Sequence, residues 1–251
     1  MFSERFNTIF VHIPKTAGQS IERVFLDRHG LGWEQREPLL LRANKEPQRG
    51  PERLAHLYAR EYVECGHVSA AAFSRAFKFA VVRNPYDRLL SEYFYRNPRT
   101  RIGFREFVKS LSTCESERTD LNRHIAPQNR FVLDHDRKIM VDAILRFESL
   151  AQDFRAVSER VFGEPISLPH RNKSDRPAGA ALIDPESQRT IFKCYERDFD
   201  LFQYPYALES GLSRHASSDW ASPGPQQATA RRLSPSDREE DQRGRSSSAQ
   251  S

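Results

Sequence analysis

Thr8-Ile9-Phe10-Val11-His12-Ile13-Pro14-Lys15-Thr16-Ala17-Gly18-Gln19-Ser20-Ile21 decides how this chain folds. Residues 8–13 are mostly β-branched, aromatic and apolar, the composition of a buried strand. Pro14 cannot donate to a sheet ladder and ends the strand. From about Gln19 the apolar residues Ile21, Val24 and Phe25 fall on one helical face. Between strand and helix lies a tight loop, in which Gly18 lets the backbone come close to whatever the loop holds. Such a loop aims backbone N–H groups and the positive helix end at one point, which makes an anion site. Lys15, Thr16 and Ser20 add a cation and two hydroxyls, a chemistry suited to a phosphate or sulfate.

The loop departs from the P-loop pattern G-x-x-x-x-G-K-[ST], because Lys15 precedes the only glycine and the first glycine is missing. A second strand–turn–helix follows further on. Residues 78–83 are nearly all apolar, as in an inner parallel strand. Asn84 suits an N-cap and Pro85 the first helical position. The helix over residues 85–96 turns Leu89, Leu90, Tyr93 and Phe94 inward. Arg83 stands at the strand's carboxyl end, where α/β sheets bind ligands. Arg88 and Ser91 are three apart on the helix and share a face, and a fork-shaped guanidinium with a hydroxyl suits a phosphate monoester.

Elsewhere the pattern is coarser. Residues 30–51 carry Gly32, Pro38, Pro47, Gly50 and Pro51 and read as a long loop with one short helix. A short helix is expected over 52–60, an extended segment over 62–68 and a helix over 70–75. Further helices are expected over 104–111, 121–131, 148–161 and 185–199, with strand segments within 138–147. Pro169 to Ser174 reads as a polar loop. After about Gly211, Ser, Arg, Gln, Pro and Asp dominate, so residues 1–210 form the domain and 211–251 a disordered polar tail.

The 251 residues suffice for one α/β domain with a proper core. The net charge of +5 and the pI of 9.2 suit an anionic cofactor or acidic substrate. No long basic run is interleaved with aromatics, which argues against nucleic acid. Cys65, Cys114 and Cys194 are widely separated, with no metal-ligand spacing, and an odd count argues against a disulfide framework. A reducing compartment follows. With no signal-peptide core and no apolar run of bilayer length, the sequence predicts a soluble, cytoplasmic protein without a transmembrane segment.

The order Pro-Lys-Thr-Ala-Gly-x-Ser after one strand, and Arg-Asn-Pro-Tyr-Asp-Arg-Leu-Leu-Ser after another, resembles the sulfotransferases that use 3′-phosphoadenosine-5′-phosphosulfate (PAPS). The resemblance spans about residues 9–206. It is nearest to the heparan sulfate and chondroitin 2-O- and 4-O-type carbohydrate sulfotransferases and their bacterial relatives. It implies a P-loop-NTPase-like three-layer α/β sandwich, with a central parallel sheet flanked by helices. It implies that Lys15, Thr16, Ala17, Gly18, Gln19 and Ser20 hold the 5′-phosphosulfate, and that Arg83 and Ser91 hold the 3′-phosphate. Lys173 and Ser174 fall in a looser match and are candidates to close over the nucleotide. His67, in Cys65-Gly66-His67, is similar to the family's Gly-His base, although some relatives carry His-Gly-His there. His124 is the alternative base or, with Gln128, a substrate ligand. His12, inside the first strand, reads as structural.

The reading is therefore an in-line transfer to a hydroxyl of a carbohydrate or glycolipid acceptor, with His67 as base, Lys15 stabilising the leaving phosphate, and no metal. Two other classes stand beside it. A P-loop-like nucleotide kinase or phosphotransferase predicts Mg²⁺ dependence and the Walker order, which the loop lacks. A non-catalytic nucleotide-binding module predicts that His67 is dispensable. Neither the acceptor nor the oligomeric state is written in the sequence.

Overall fold

A computed structural model of the chain describes residues 1–113, 119–168 and 179–207. Its frame is a sheet of β1 (Phe2–Ser3), β2 (Thr8–Val11), β3 (Phe77–Val82) and β4 (Ala143–Arg146), neighbours in that order. The last three strands are parallel, in a register that sets Phe10 beside Phe79 and Ala80 beside Ile144. β1 pairs antiparallel with β2. The sheet is therefore mixed rather than purely parallel, and a two-residue strand is too short to leave a periodic signal.

The helices are α1 (Gly18–His29), α2 (Glu61–Glu64), α3 (Ala70–Arg75), α4 (Pro85–Thr100), α5 (Phe104–Lys109), α6 (Asp120–Ile125), α7 (Asn129–Val132), α8 (Leu150–Phe162) and α9 (Pro185–Phe202). Residues 30–51 carry three short 3₁₀ turns in place of one helix, and 52–60 only one, at Leu54–His56.

Strand alternation divides the core between the two faces of the sheet. Ile9, Val11, Ala80 and Val82 pack with Leu89, Leu90, Phe104, Phe107, Ile191 and Phe199 from α4, α5 and α9. Phe10, Phe79, Val81 and Leu145 pack with Ile21, Val24, Phe25, Phe154 and Val157 from α1 and α8. Phe10 and Phe79 stack with centroids 4.9 Å apart on the second face. Burial on both sides explains why β2 and β3 read as unbroken apolar runs, and each such side chain contributes about 1.5–3 kcal/mol.

The expected extended segment over 62–68 is instead the helical turn α2, closed by Cys65 N–H donating to the Glu61 carbonyl at 3.0 Å. The reason is tertiary. Glu61 accepts two bonds from buried Arg123, at 2.6 and 2.9 Å, and one from the Tyr58 N–H. Tyr62 is fully buried and donates to the Phe10 carbonyl. Gly66, at φ +70°, then reverses the chain into His67. Among the described residues no helix is long and apolar enough to cross a membrane. The tail over 211–251 and the loop over 169–174 lie outside the described residues.

Candidate active site

Beyond the carboxyl end of β2 the chain turns through Pro14, Lys15, Thr16 and Ala17 into α1. Lys15 and Ala17 both have positive φ, 69° and 68°, a conformation that costs a non-glycine residue about 1–2 kcal/mol. Such strain persists where the surroundings over-determine it, and three donors do so here. Arg88 Nε donates to the Pro14 carbonyl at 3.1 Å and Arg83 Nη1 to the Lys15 carbonyl at 3.3 Å. The buried Thr16 hydroxyl donates to the Ile13 carbonyl at 2.8 Å.

The first turn of α1 keeps one internal bond, from the Ser20 N–H to the Ala17 carbonyl at 3.0 Å. Its N-cap, Ala17, makes no side-chain cap, and no acidic residue stands in the first turn. Asn84, Ser69, Thr119 and Asp184 cap other helices with side-chain oxygens. The N–H groups ahead of Ser20 and the positive end of the dipole have the chemistry that suits an external anion. Gln19 is exposed and Ser20 half-buried on this first turn.

Gly18 also has a packing reason. A Cβ there would lie 2.0 Å from His12 Nε2, so the glycine makes room for an imidazole. His12 is structural, as expected, although it stands just beyond the end of β2 and not inside it. It is buried, 2.6 Å from Glu22 Oε1 through Nδ1, parallel to the Phe10 ring and edge-on to His56.

Arg83 follows β3 directly. Its backbone is clamped by Gln128, whose Oε1 accepts from Arg83 N–H at 2.9 Å and whose Nε2 donates to the Arg83 carbonyl at 2.8 Å. The guanidinium lies over the Phe147 ring, 4.1 Å from its centroid. Phe147 follows β4, so the ends of all three parallel strands meet at this point. Gln128 is fully buried with its amide spent on Arg83, which corrects its expected role as a substrate ligand: it positions Arg83. Asp198 carries the clamp in turn, accepting from Gln128 N–H at 2.7 Å and from the Asn129 N–H and Nδ2 at 2.8 and 2.5 Å. Burial pushes the Asp198 carboxyl up, against the pull of these donors.

Arg88 is corrected in the same way. It is 3% exposed, and besides Pro14 it donates to the carbonyls of Ala126 and His124 at 2.9 and 2.8 Å. It ties the loop to the α6–α7 connection and does not share an anion with Ser91, which is half-buried on α4.

Tyr95, to which the sequence reading assigned no role, connects the loop to a buried polar cluster. The Lys15 ammonium lies 4.1 Å from its ring centroid, and its other neighbour is the His124 ring, stacked at 5.9 Å. Its only sequence signal is the i, i+4 spacing from Ser91. His124 Nδ1 bonds Glu92 Oε2 at 2.8 Å, and its Nε2 faces Asp120 Oδ1 at 3.7 Å. Burial alone would raise the Glu92 carboxyl, but the His124 hydrogen bond and the Arg96 guanidinium hold it down to about 2. Burial, with His12 and His124 beside it, holds His56 well below its ordinary value.

His67 makes its hydrogen bond elsewhere, Nε2 to the Arg49 carbonyl at 2.7 Å. A carbonyl only accepts, so Nε2 carries the proton and Nδ1 is the basic nitrogen. Burial of the half-exposed ring lowers its pKa below the ordinary 6.5. Lys173 and Ser174 lie outside the described residues.

No curated protein and no solved structure gives a match to this chain. The model of the sulfotransferase family matches residues 1–205, a span that takes in both strand-end loops and every residue placed above. The chain belongs to the sulfotransferase family, and sulfuryl transfer is its general chemistry.

Proposed function

We propose that the protein moves a sulfuryl group from PAPS to a hydroxyl of a carbohydrate or glycolipid. The observation that carries this reading is the joining of two cationic strand ends. The uncapped start of α1 with Lys15, and Arg83 on the neighbouring parallel strand, are linked by the Arg83–Lys15 carbonyl bond at 3.3 Å. One donor with two anionic groups explains both ends together. We read residues 1–210 as a P-loop-like catalytic domain.

When bound, PAPS supplies the sulfuryl group and a bisphosphate leaving group. The chain supplies position and charge. Residues 15–20 take the 5′-phosphosulfate, chiefly through backbone N–H groups, since the Thr16 hydroxyl is engaged with Ile13. Arg83, a planar fork held by Gln128, takes the 3′-phosphate with Ser91. Lys15 sets its charge where negative charge grows on the leaving phosphate. His67 Nδ1 accepts the proton of the acceptor hydroxyl. His124 stays out of that transfer, because its two nitrogens face the Glu92 and Asp120 carboxylates. Arg36 lies over Trp33, 4.7 Å from the ring centroid, and this paired surface suits an acidic sugar.

Calorimetric titration with 3′,5′-adenosine bisphosphate, without metal, tests the donor site. Wild type binds, and Arg83→Ala weakens binding by about 30-fold or more, the ~2 kcal/mol lower bound for truncating a desolvated charge pair. Failure of the wild type to bind overturns the reading.

The base is tested by a pH–rate profile. A histidine base must be neutral, so kcat/KM falls as the pH drops through a value below 6.5, the direction set by burial of the ring. His67→Ala lowers kcat by about 10²-fold and removes that acidic limb. An unchanged profile in the variant excludes His67.

A further inference from the structure

His56, Asp120 and His124 come together beside the loop, and the proposed transfer uses none of them. His56 ends a 3₁₀ turn, whereas Asp120 and His124 stand four apart on α6. Asp120 Oδ1 is 3.7 Å from His56 Nε2 and 3.7 Å from His124 Nε2. Those distances are too long for hydrogen bonds. They lie within a few tenths of the roughly 3.4 Å edge of a tetrahedron with zinc–ligand bonds of about 2.0–2.1 Å.

Each group is also oriented from behind. His124 Nδ1 bonds Glu92 Oε2 at 2.8 Å, and His56 Nδ1 faces the His12 carbonyl at 3.4 Å. Both rings therefore turn Nε2 toward the third ligand, as carboxylate- and carbonyl-backed metal histidines do. Arg53 Nε holds the other Asp120 oxygen at 3.1 Å. Asp120 Oδ1 itself is buried and accepts no hydrogen bond among the described residues. A buried carboxylate oxygen without a donor is costly, and a cation between it and the two imidazoles removes that cost.

We propose that His56 Nε2, Asp120 Oδ1 and His124 Nε2 bind one zinc ion, with a fourth position open to water. The ion clips the segment after Arg53 to α6. It thereby fixes His124, on which Tyr95 and then Lys15 rest. The site does not depend on the sulfuryl-transfer reading, and its test contains no donor or acceptor.

The full chain is stripped with a chelator, dialysed and titrated with Zn²⁺, and in parallel with Co²⁺. One equivalent of Zn²⁺ is expected to bind and to raise the thermal midpoint by mass action. Co²⁺ is expected to give visible ligand-field bands of a four- or five-coordinate site. His56→Ala and Asp120→Asn both lose more affinity than the ~10–100-fold that removal of an outer-shell partner costs. Asp120→Asn keeps the shape of the side chain, so it serves if His56→Ala does not fold. His135→Ala, at an exposed histidine paired with Glu64, binds as wild type does. Absence of stoichiometric binding, or affinity unchanged in Asp120→Asn, overturns the site.

Discussion

Lys15→Ala is expected to lower kcat at saturating PAPS by about 10²–10³-fold, the usual loss when one preorganised charge-stabilising group is removed. Stability should hardly move. Alanine meets the same left-handed penalty as lysine at φ 69°, so the backbone strain is common to both proteins. The contact with the Tyr95 ring, at 4.1 Å, contributes about 0.5–1 kcal/mol. Turnover under saturating donor, with the urea midpoint of the same preparation, separates the two effects. Wild-type turnover in the variant removes Lys15 from the chemistry. A fall in the urea midpoint as large as the fall in rate makes it a structural residue.

Asp198→Ala is expected to destabilise the fold by about 3–6 kcal/mol, since it strands three donors at roughly 1–3 kcal/mol each, reduced where water enters. The carboxylate is fully buried, and Gln128 N–H, Asn129 N–H and Asn129 Nδ2 have it as their acceptor. Against a typical domain stability of about 5–15 kcal/mol this leaves little margin. Denaturant unfolding measures it, and a change below about 1 kcal/mol would mean that water replaces the carboxylate freely. What remains folded should bind 3′,5′-adenosine bisphosphate more weakly. Asp198 holds Gln128, and Gln128 holds the Arg83 backbone. The effect therefore reaches the phosphate site without a single contact to it.

The two strand–loop–helix units were legible because their signals are local. Residues 8–13 and 78–83 are mostly apolar and place apolar side chains on both faces, as strands covered by helices on two sides must. Asn84-Pro85 marks the start of α4, and Ser69 caps α3 over the residues expected. The loop's place was legible too, since Pro-Lys-Thr-Ala-Gly marks the end of β2 and the uncapped start of α1 without reference to its neighbours. β1 was not legible, because two residues carry no period. α2 was not, because Glu61 answers to Arg123, 62 positions away.

The roles of individual side chains divide in the same way. Arg83, Arg88 and Gln128 are each compatible in sequence with a bound anion or substrate. Packing buries Arg88 on three carbonyls, spends Gln128 on the Arg83 backbone and lays Arg83 over Phe147. Gly18 was read as letting the backbone approach a ligand, and packing adds a second demand, since His12 occupies the space of a Cβ. His56 shows no metal spacing with Asp120 and His124, yet the fold sets their ligand atoms within 4.8 Å of one another. The sequence by itself determined the strands, the helix starts and the cationic loop, because backbone limits and apolar periodicity act over a few residues. Only the tertiary structure decided which polar group meets which. A hydrogen bond or ligand set between distant residues exists only after the sheet and helices have packed.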